Sequence, residues 1–338
     1  MHKISFKINA LAVVAAVSTM LSACGGGGGG GGGTTATAPV ATAPVATAPV
    51  VAASTLVTSV PSATYTGELA AAFNLINAER GACGFGLLTQ NAALDAAATS
   101  HANYLFQNRV VSHAEVPGLP GFTGATSLAR AKAKGYAAAS SSEVVASTSG
   151  NSVKAVRGLL VAPYHQTILM RGNRDVGFGR VTASNGQTIL IAVQGSQSSA
   201  GMQLLAGDAV QTYPCNGSVG VNRQLQYETP SPVPGRDLVG NPIGTPILVS
   251  VRTGNVLAIS SSSMIKVATG ASVKMRPAIG VTNDPNRTAT VNHFMANEAY
   301  VAPDTALDPN SEYQVTVNGT NNGVAFRAIT FKFTTGAN

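Results

Sequence analysis

The sequence has no tryptophan, three cysteines, five histidines and few charges. Only 10% of its 338 residues are Asp, Glu, Lys or Arg, where an ordinary soluble domain has about 25%. Charge this sparse excludes a polyelectrolyte tail or a chain held open by its own repulsion. The 21 basic residues outnumber the 14 acidic ones, giving a net charge of +7, but they form no run. Nucleic-acid recognition therefore has no footing. There is no Gly-x-Ser-x-Gly elbow and no His-Glu-x-x-His pair, so the short motifs of serine hydrolases and zinc peptidases are missing. The nine glycines from Gly25 to Gly33 satisfy a dinucleotide fingerprint trivially. No strand precedes them and no helix follows, so they read as a tether.

What the chain does have begins at its N-terminus. Lys3 and Lys7 precede an apolar run from Ile8 to Met20, then Leu21-Ser22-Ala23-Cys24. The run is too short for a normal membrane span and has the form of a secretory signal, residues 1–23. Leu-Ser-Ala-Cys resembles the lipobox of bacterial lipoproteins. That resemblance implies lipidation of Cys24 and a Gram-negative envelope, with Gly25 favouring the outer membrane. The glycines are followed by three copies of Ala-Thr-Ala-Pro-Val over 36–50. Residues 24–62 are then a lipidated cysteine and a spacer, with an end-to-end distance of roughly 35 Å as a coil.

Cys83 and Cys215 remain. An exported chain with two spare cysteines most simply pairs them; the alternative is two free thiols. Periodicity predicts helices over Thr66–Gly81 (Leu69, Phe73, Ile76), Gln90–Arg109 (Leu94, Ala97, Ala98, His101, Leu105), Ser127–Lys134, Ser152–Leu160 and Pro163–Met170. Strands are expected at Ser142–Ala146, Val176–Thr182 and Thr188–Gln194, the last two joined by Asn185-Gly186. Helices followed by a hairpin indicate an α+β domain, 63–223.

Within it, Asn77-Ala78-Glu79-Arg80 with Leu87-Leu88, then His101, Ser112-His113, Arg130, Gly135-Tyr136, Glu143, Pro163-Tyr164-His165 and Val176-Gly177-Phe178-Gly179 stand in order. This set resembles bacterial members of the CAP superfamily, the cysteine-rich secretory, antigen 5 and pathogenesis-related group. The resemblance implies an α–β–α sandwich with an open cleft where His113, Glu143 and His165 converge, a ligand set suited to zinc or a similar divalent ion. His101 lies on the apolar face of its helix and is either a satisfied core histidine or a support for the cleft. The second glutamate usual in the family has no counterpart between Glu143 and Asp175, and Val144 and Gln166 replace the family's Asn and Arg.

Pro230, Pro232, Pro234, Pro242 and Pro246 mark 224–246 as a connector. Beyond it, strands are expected at Ile247–Val251, Val256–Ile259 and Val273–Ile279, around Tyr313, Val315 and Val317, and around Phe331 and Phe333. The stretch from Leu307 to Thr335 resembles bacterial Ig-like modules, so 247–338 is expected to be an Ig-like β-sandwich. Three functions fit. The leading one is a non-enzymatic, membrane-anchored binding module for a divalent metal, a lipid or a protein. The second is a metal-dependent hydrolase using His113, Glu143 and His165. The third is an envelope structural protein with a vestigial cleft.

Overall fold

The computed structural model describes residues 51–337, which form one compact unit. The signal sequence, Cys24 and the spacer up to residue 50 lie outside the described residues. Residues 52–57, expected as the end of the spacer, are instead held to the body. Thr55 N–H donates to Leu204 O, Gly207 N–H to Ala52 O and Leu87 N–H to Val57 O. No described helix is long and apolar enough to cross a membrane.

Helices α1 (Gly67–Ala82), α2 (Ala92–Asn108), α3 (Ser127–Ala133), α4 (Ser152–Val161) and α5 (Pro163–Met170) form close to their expected ends. Thr66 stands at the N-cap of α1 without a hydroxyl bond to the helix, whereas Asn91 caps α2 by accepting from Ala93 and Leu94 N–H. Strands β1 (Thr89–Gln90), β2 (Ala138–Thr148), β3 (Asp175–Thr182) and β4 (Thr188–Gln197) make one sheet in the order β1-β3-β4-β2. The side-chain period of two divides β4 between two cores. Leu190 and Ala192 pack with Phe73, Ile76, Val156 and Leu160 of α1 and α4. Ile189, Ile191 and Val193 pack with Leu94, Ala98 and Leu105 of α2. The result is the expected α–β–α sandwich. Two glycines of β3 let α2 lie against the strand. A Cβ on Gly177 would come within 2.1 Å of Asp95 N, and one on Gly179 within 2.3 Å of Ala98 C. That contact is the physical content of the Val-Gly-Phe-Gly motif.

The rest of the chain supplies β5 (Val210–Tyr213), β6 (Ser218–Val221), β7 (Gln224–Leu225), β8 (Ile243–Gly244), β9 (Ile247–Val251), β10 (Leu257–Lys266), β11 (Ser272–Val273), β12 (Ile279–Gly280), β13 (Glu298–Val301), β14 (Glu312–Asn321), β15 (Val324–Ala325) and β16 (Ile329–Thr335). They form sheets β11-β10-β14-β16-β6, with β15 paired to β14, and β12-β13-β9-β5, while β7 and β8 pair with each other. Tyr313, Val315 and Val317 alternate inward along β14 and meet Phe331, Phe333, Val249 and Val301. This strand-rich region is consistent with the Ig-like expectation. The strand expected over Val273–Ile279 is broken into β11 and β12; Pro277 between them has no N–H to give a ladder. β5 and β6 precede residue 223 yet belong to the C-terminal sheets, so sheet membership changes near Val210.

The two regions share buried surface. Leu248 of β9 and Tyr213 of β5 join the α1–α4 core. Val161, Ala162 and Tyr164 pack with Leu225, Val233, Leu238 and Ile243 from the Pro-rich 224–246 stretch and with Phe294 and Tyr300. Cys83 and Cys215 form the expected disulfide, 132 residues apart. It fastens the end of α1 to the β5–β6 turn. Arg171 adds a bidentate pair to Glu298, Nε–Oε1 2.8 Å and Nη2–Oε2 2.9 Å.

Replacing both cysteines by alanine should lower unfolding free energy by roughly 4–5 kcal/mol, the chain-entropy value for so long a loop; urea denaturation measures it. An unchanged midpoint would mean that the bridge adds nothing to the buried seam.

Asp304 gathers Arg236, Arg276 and Lys274, at 3.0, 2.6 and 2.9 Å. Hydrogen bonds from Lys274 first and Arg276 second hold its carboxyl down at about 2. A depressed folded-state value stabilises the protein above the unfolded-state value and ceases to do so as pH falls through the folded one. Asp304→Asn should therefore melt several degrees lower than wild type at pH 7. The gap should close between about pH 4 and pH 2. Thermal melts across that range decide it, and a gap independent of pH would refute the ion-pair origin.

Candidate functional site

The loop after α2 and the middle of β2 bring His101, His113 and Glu143 together. His101 is fully buried. Its Nδ1 lies 2.9 Å from Glu115 Oε1 and its Nε2 2.9 Å from Ser112 O. Nε2 is also 3.5 Å from Glu143 Oε1. Of the two sequence readings, the ring is thus a satisfied core histidine that also abuts the cleft carboxylate. Glu115 is itself saturated, accepting from Thr123 N–H at 2.5 Å and Gly124 N–H at 3.1 Å.

Arg130, fully buried on α3, binds the two halves of this network. Its Nη2 donates to Glu143 Oε2 at 2.8 Å and to His113 O at 3.0 Å. Its Nη1 donates to Gly124 O at 3.1 Å. Glu143 then receives His113 Nδ1 on Oε1 at 3.1 Å. Burial alone would raise the Glu143 carboxyl. The His113 hydrogen bond and the charges of Arg130 and His101 outweigh it and hold the group below the ordinary carboxylate range. The Glu143 side chain is 2% exposed, whereas that of His113 is 55% exposed. The carboxylate therefore orients the imidazole instead of facing solvent.

His165 enters from α5, its ring centroid 6.3 Å from that of His113. Its Nδ1 lies 3.1 Å from Glu228 Oε1. The same oxygen accepts Tyr164 N–H at 2.8 Å and His165 N–H at 3.3 Å. Glu228 thus caps α5 in place of Ala162, which has no side chain able to do so. Burial raises the Glu228 carboxyl, against the opposing pull of His165 and the two amides. Its Oε2 is buried without a hydrogen-bond partner.

Glu228 is the residue that sequence reasoning missed. It lies 63 residues beyond His165, in the Pro-rich stretch read as a connector, and no local pattern announces it. Apart from the buried His101–Glu115 pair, the site consequently has two histidines and two carboxylates, each imidazole held at Nδ1 by its own acid. Glu143 is committed to Arg130 and His113. Among the described residues, no three His, Cys, Asp or Glu side chains stand close enough to surround one ion. A second pair lies further along the seam: His293 Nδ1 is 3.0 Å from Asp284 Oδ2, and its ring centroid is 4.3 Å from that of Tyr164.

The segment that carries the ordered motifs matches a known family model. Residues 73–195 match the model of the cysteine-rich secretory protein family, CAP. That part of the chain is a CAP domain. Among solved structures, an outer surface protein of Borrelia burgdorferi is similar at 19% identity, with 39% of this chain and 93% of that one covered, and a TM-score of 0.35. An extracellular protein containing a SCP domain from Bacillus anthracis is similar at 20% identity over 37% of this chain, with a TM-score of 0.33; only 39% of that protein is covered. A search of curated proteins finds no match.

Arg130→Met should destabilise the protein by about 3–5 kcal/mol, because it leaves buried carboxylates without their cation. Adding Glu143→Gln to Arg130→Met should recover part of the loss. Denaturant titration of both variants checks this; no recovery would mean that the arginine acts by packing alone.

Proposed function

We propose that the protein is a membrane-anchored, extracytoplasmic binding protein, not a hydrolase, whose CAP cleft takes a divalent cation between His113 and His165. One observation carries this reading: two neighbouring imidazoles, each fixed through Nδ1 by a buried glutamate. That arrangement leaves Nε2 of each ring as the donor, as in carboxylate–histidine–metal sites. Two nitrogens make half of a tetrahedral set, with water completing it.

The disulfide supports an oxidising compartment, and the signal-like N-terminus with Cys24 supports anchoring. Against hydrolysis, both glutamates are spent on orientation. Glu143 is tied to Arg130, and the Glu228 side chain is fully shielded from solvent. Neither can reach a substrate in this conformation.

Calorimetric titration of the full-length, metal-free chain with Zn²⁺ should show one ion bound. His113→Ala and His165→Ala should each abolish binding, and Glu228→Gln should weaken it about 10–100-fold. Wild-type protein that takes up no Zn²⁺ would overturn the cation reading, and turnover of peptide or ester substrates lost in His113→Ala would overturn the non-enzymatic one.

A further inference from the structure

Between α2 and α3 the chain runs Val116-Pro117-Gly118-Leu119-Pro120-Gly121-Phe122. Two turns follow one another. Leu119 N–H donates to Val116 O at 3.3 Å, and Phe122 N–H donates to Leu119 O at 3.2 Å. Gly118 and Gly121 have φ of +87° and +77°, as the third position of a type II turn requires, with proline favoured before it. The turns therefore set three large apolar residues at their ends, three apart.

Val116, Leu119 and Phe122 are 55%, 42% and 39% exposed. The loop is pinned to the end of α2. Asn108 Nδ2 donates to Tyr104 O and Pro120 O, and Val116 N–H donates to the Tyr104 hydroxyl. Phe106, Val110 and Val111 are exposed at the same end. The stretch from Phe106 to Phe122 thus holds six of the fifteen exposed large hydrophobic side chains of the described chain. A cluster this dense, on a loop this firmly built, marks a contact surface.

The charges choose the partner. From Ala96 to Ser142 the only acid is Glu115, which is buried, while Arg109, Lys132 and Lys134 are exposed. A second copy of this face would meet its own positive charge. An anionic bilayer instead accepts apolar side chains at the acyl boundary and attracts the surrounding cations.

We propose that the α2–α3 face is a bilayer-contact surface for anionic lipid headgroups, which turns the exposed His113 toward the membrane. The inference does not depend on the cation site or on how the N-terminus is held.

The absence of tryptophan gives a clean test. Phe122→Trp in the full-length chain, reconstituted in phosphatidylethanolamine–phosphatidylglycerol vesicles, places one reporter on the surface. Val324→Trp, on exposed β15, is the control. The residue-122 signal should shift to shorter wavelength and be mostly quenched by brominated lipid, while the control stays unquenched. Adding Val111→Asp and Leu119→Asp should abolish the quenching without changing the melting temperature, and phosphatidylcholine vesicles or high salt should weaken it. An unquenched residue 122, quenching equal at both positions, or equal quenching in phosphatidylcholine would overturn the proposal. So would a shift that grows with protein concentration in the absence of lipid, which would assign the face to self-association.

Discussion

The guanidinium of Arg130 is the point on which the cleft depends. It is wholly buried, and two carboxylates lie beside it, Glu143 at 2.8 Å and Glu115 at 3.9 Å. Without a cation, burying both acids would be too costly to sustain. With it, the loop after α2 acquires a fixed path, because the same side chain holds the carbonyls of His113 and Gly124. The exposure of His113 is then a consequence of an interior interaction: the backbone is clamped below while the ring is left in solvent, facing a carboxylate that cannot move.

A second constraint operates across the molecule. α5 starts at Pro163 after an alanine, so its first amides have no local acceptor. Glu228 provides one from the stretch after β7, and the adjacent Tyr164 is drawn into the Asp284–Asn286 hydrogen bonds. Together with the disulfide, the Arg171–Glu298 pair and the Leu248 and Leu225 contacts, this makes the helical face of the CAP domain an interior surface. Isolating residues 73–195 would expose that face and remove the acid that steadies His165.

The legible part of this structure was the part written in local periodicity. α2 with its apolar stripe, α5 behind Pro163, β14 with its alternation and the Asn185-Gly186 hairpin all follow from neighbours in sequence. Several of the CAP motif residues fix backbone contacts. Asn77 pairs in both directions with Leu88, and Arg80 donates to the carbonyls closing α5. What was hidden is what the tertiary fold alone brings together. Glu228 has no motif of its own. β5 and β6 are four residues each and join sheets whose other strands lie far downstream. The prolines of 224–246 mark a path without much regular structure, but they do not reveal that Leu225 and Ile243 are among the most deeply buried residues.

The two histidines therefore report on different parts of the chain. His113 is set by Arg130 and Glu143, entirely within the CAP domain. His165 is set by Glu228, at the seam with the strand-rich region. Anything that engages both rings couples the exposed loop of the CAP domain to that seam, because neither ring can turn without breaking the bond that its Nδ1 makes to a buried acid. The acids differ in kind. Glu143 is stabilised in its charged form, while burial pushes Glu228 toward its neutral form and leaves one oxygen without a partner. Of the two supports, the seam-side one is the less satisfied, because its second oxygen is shut away from solvent without a donor.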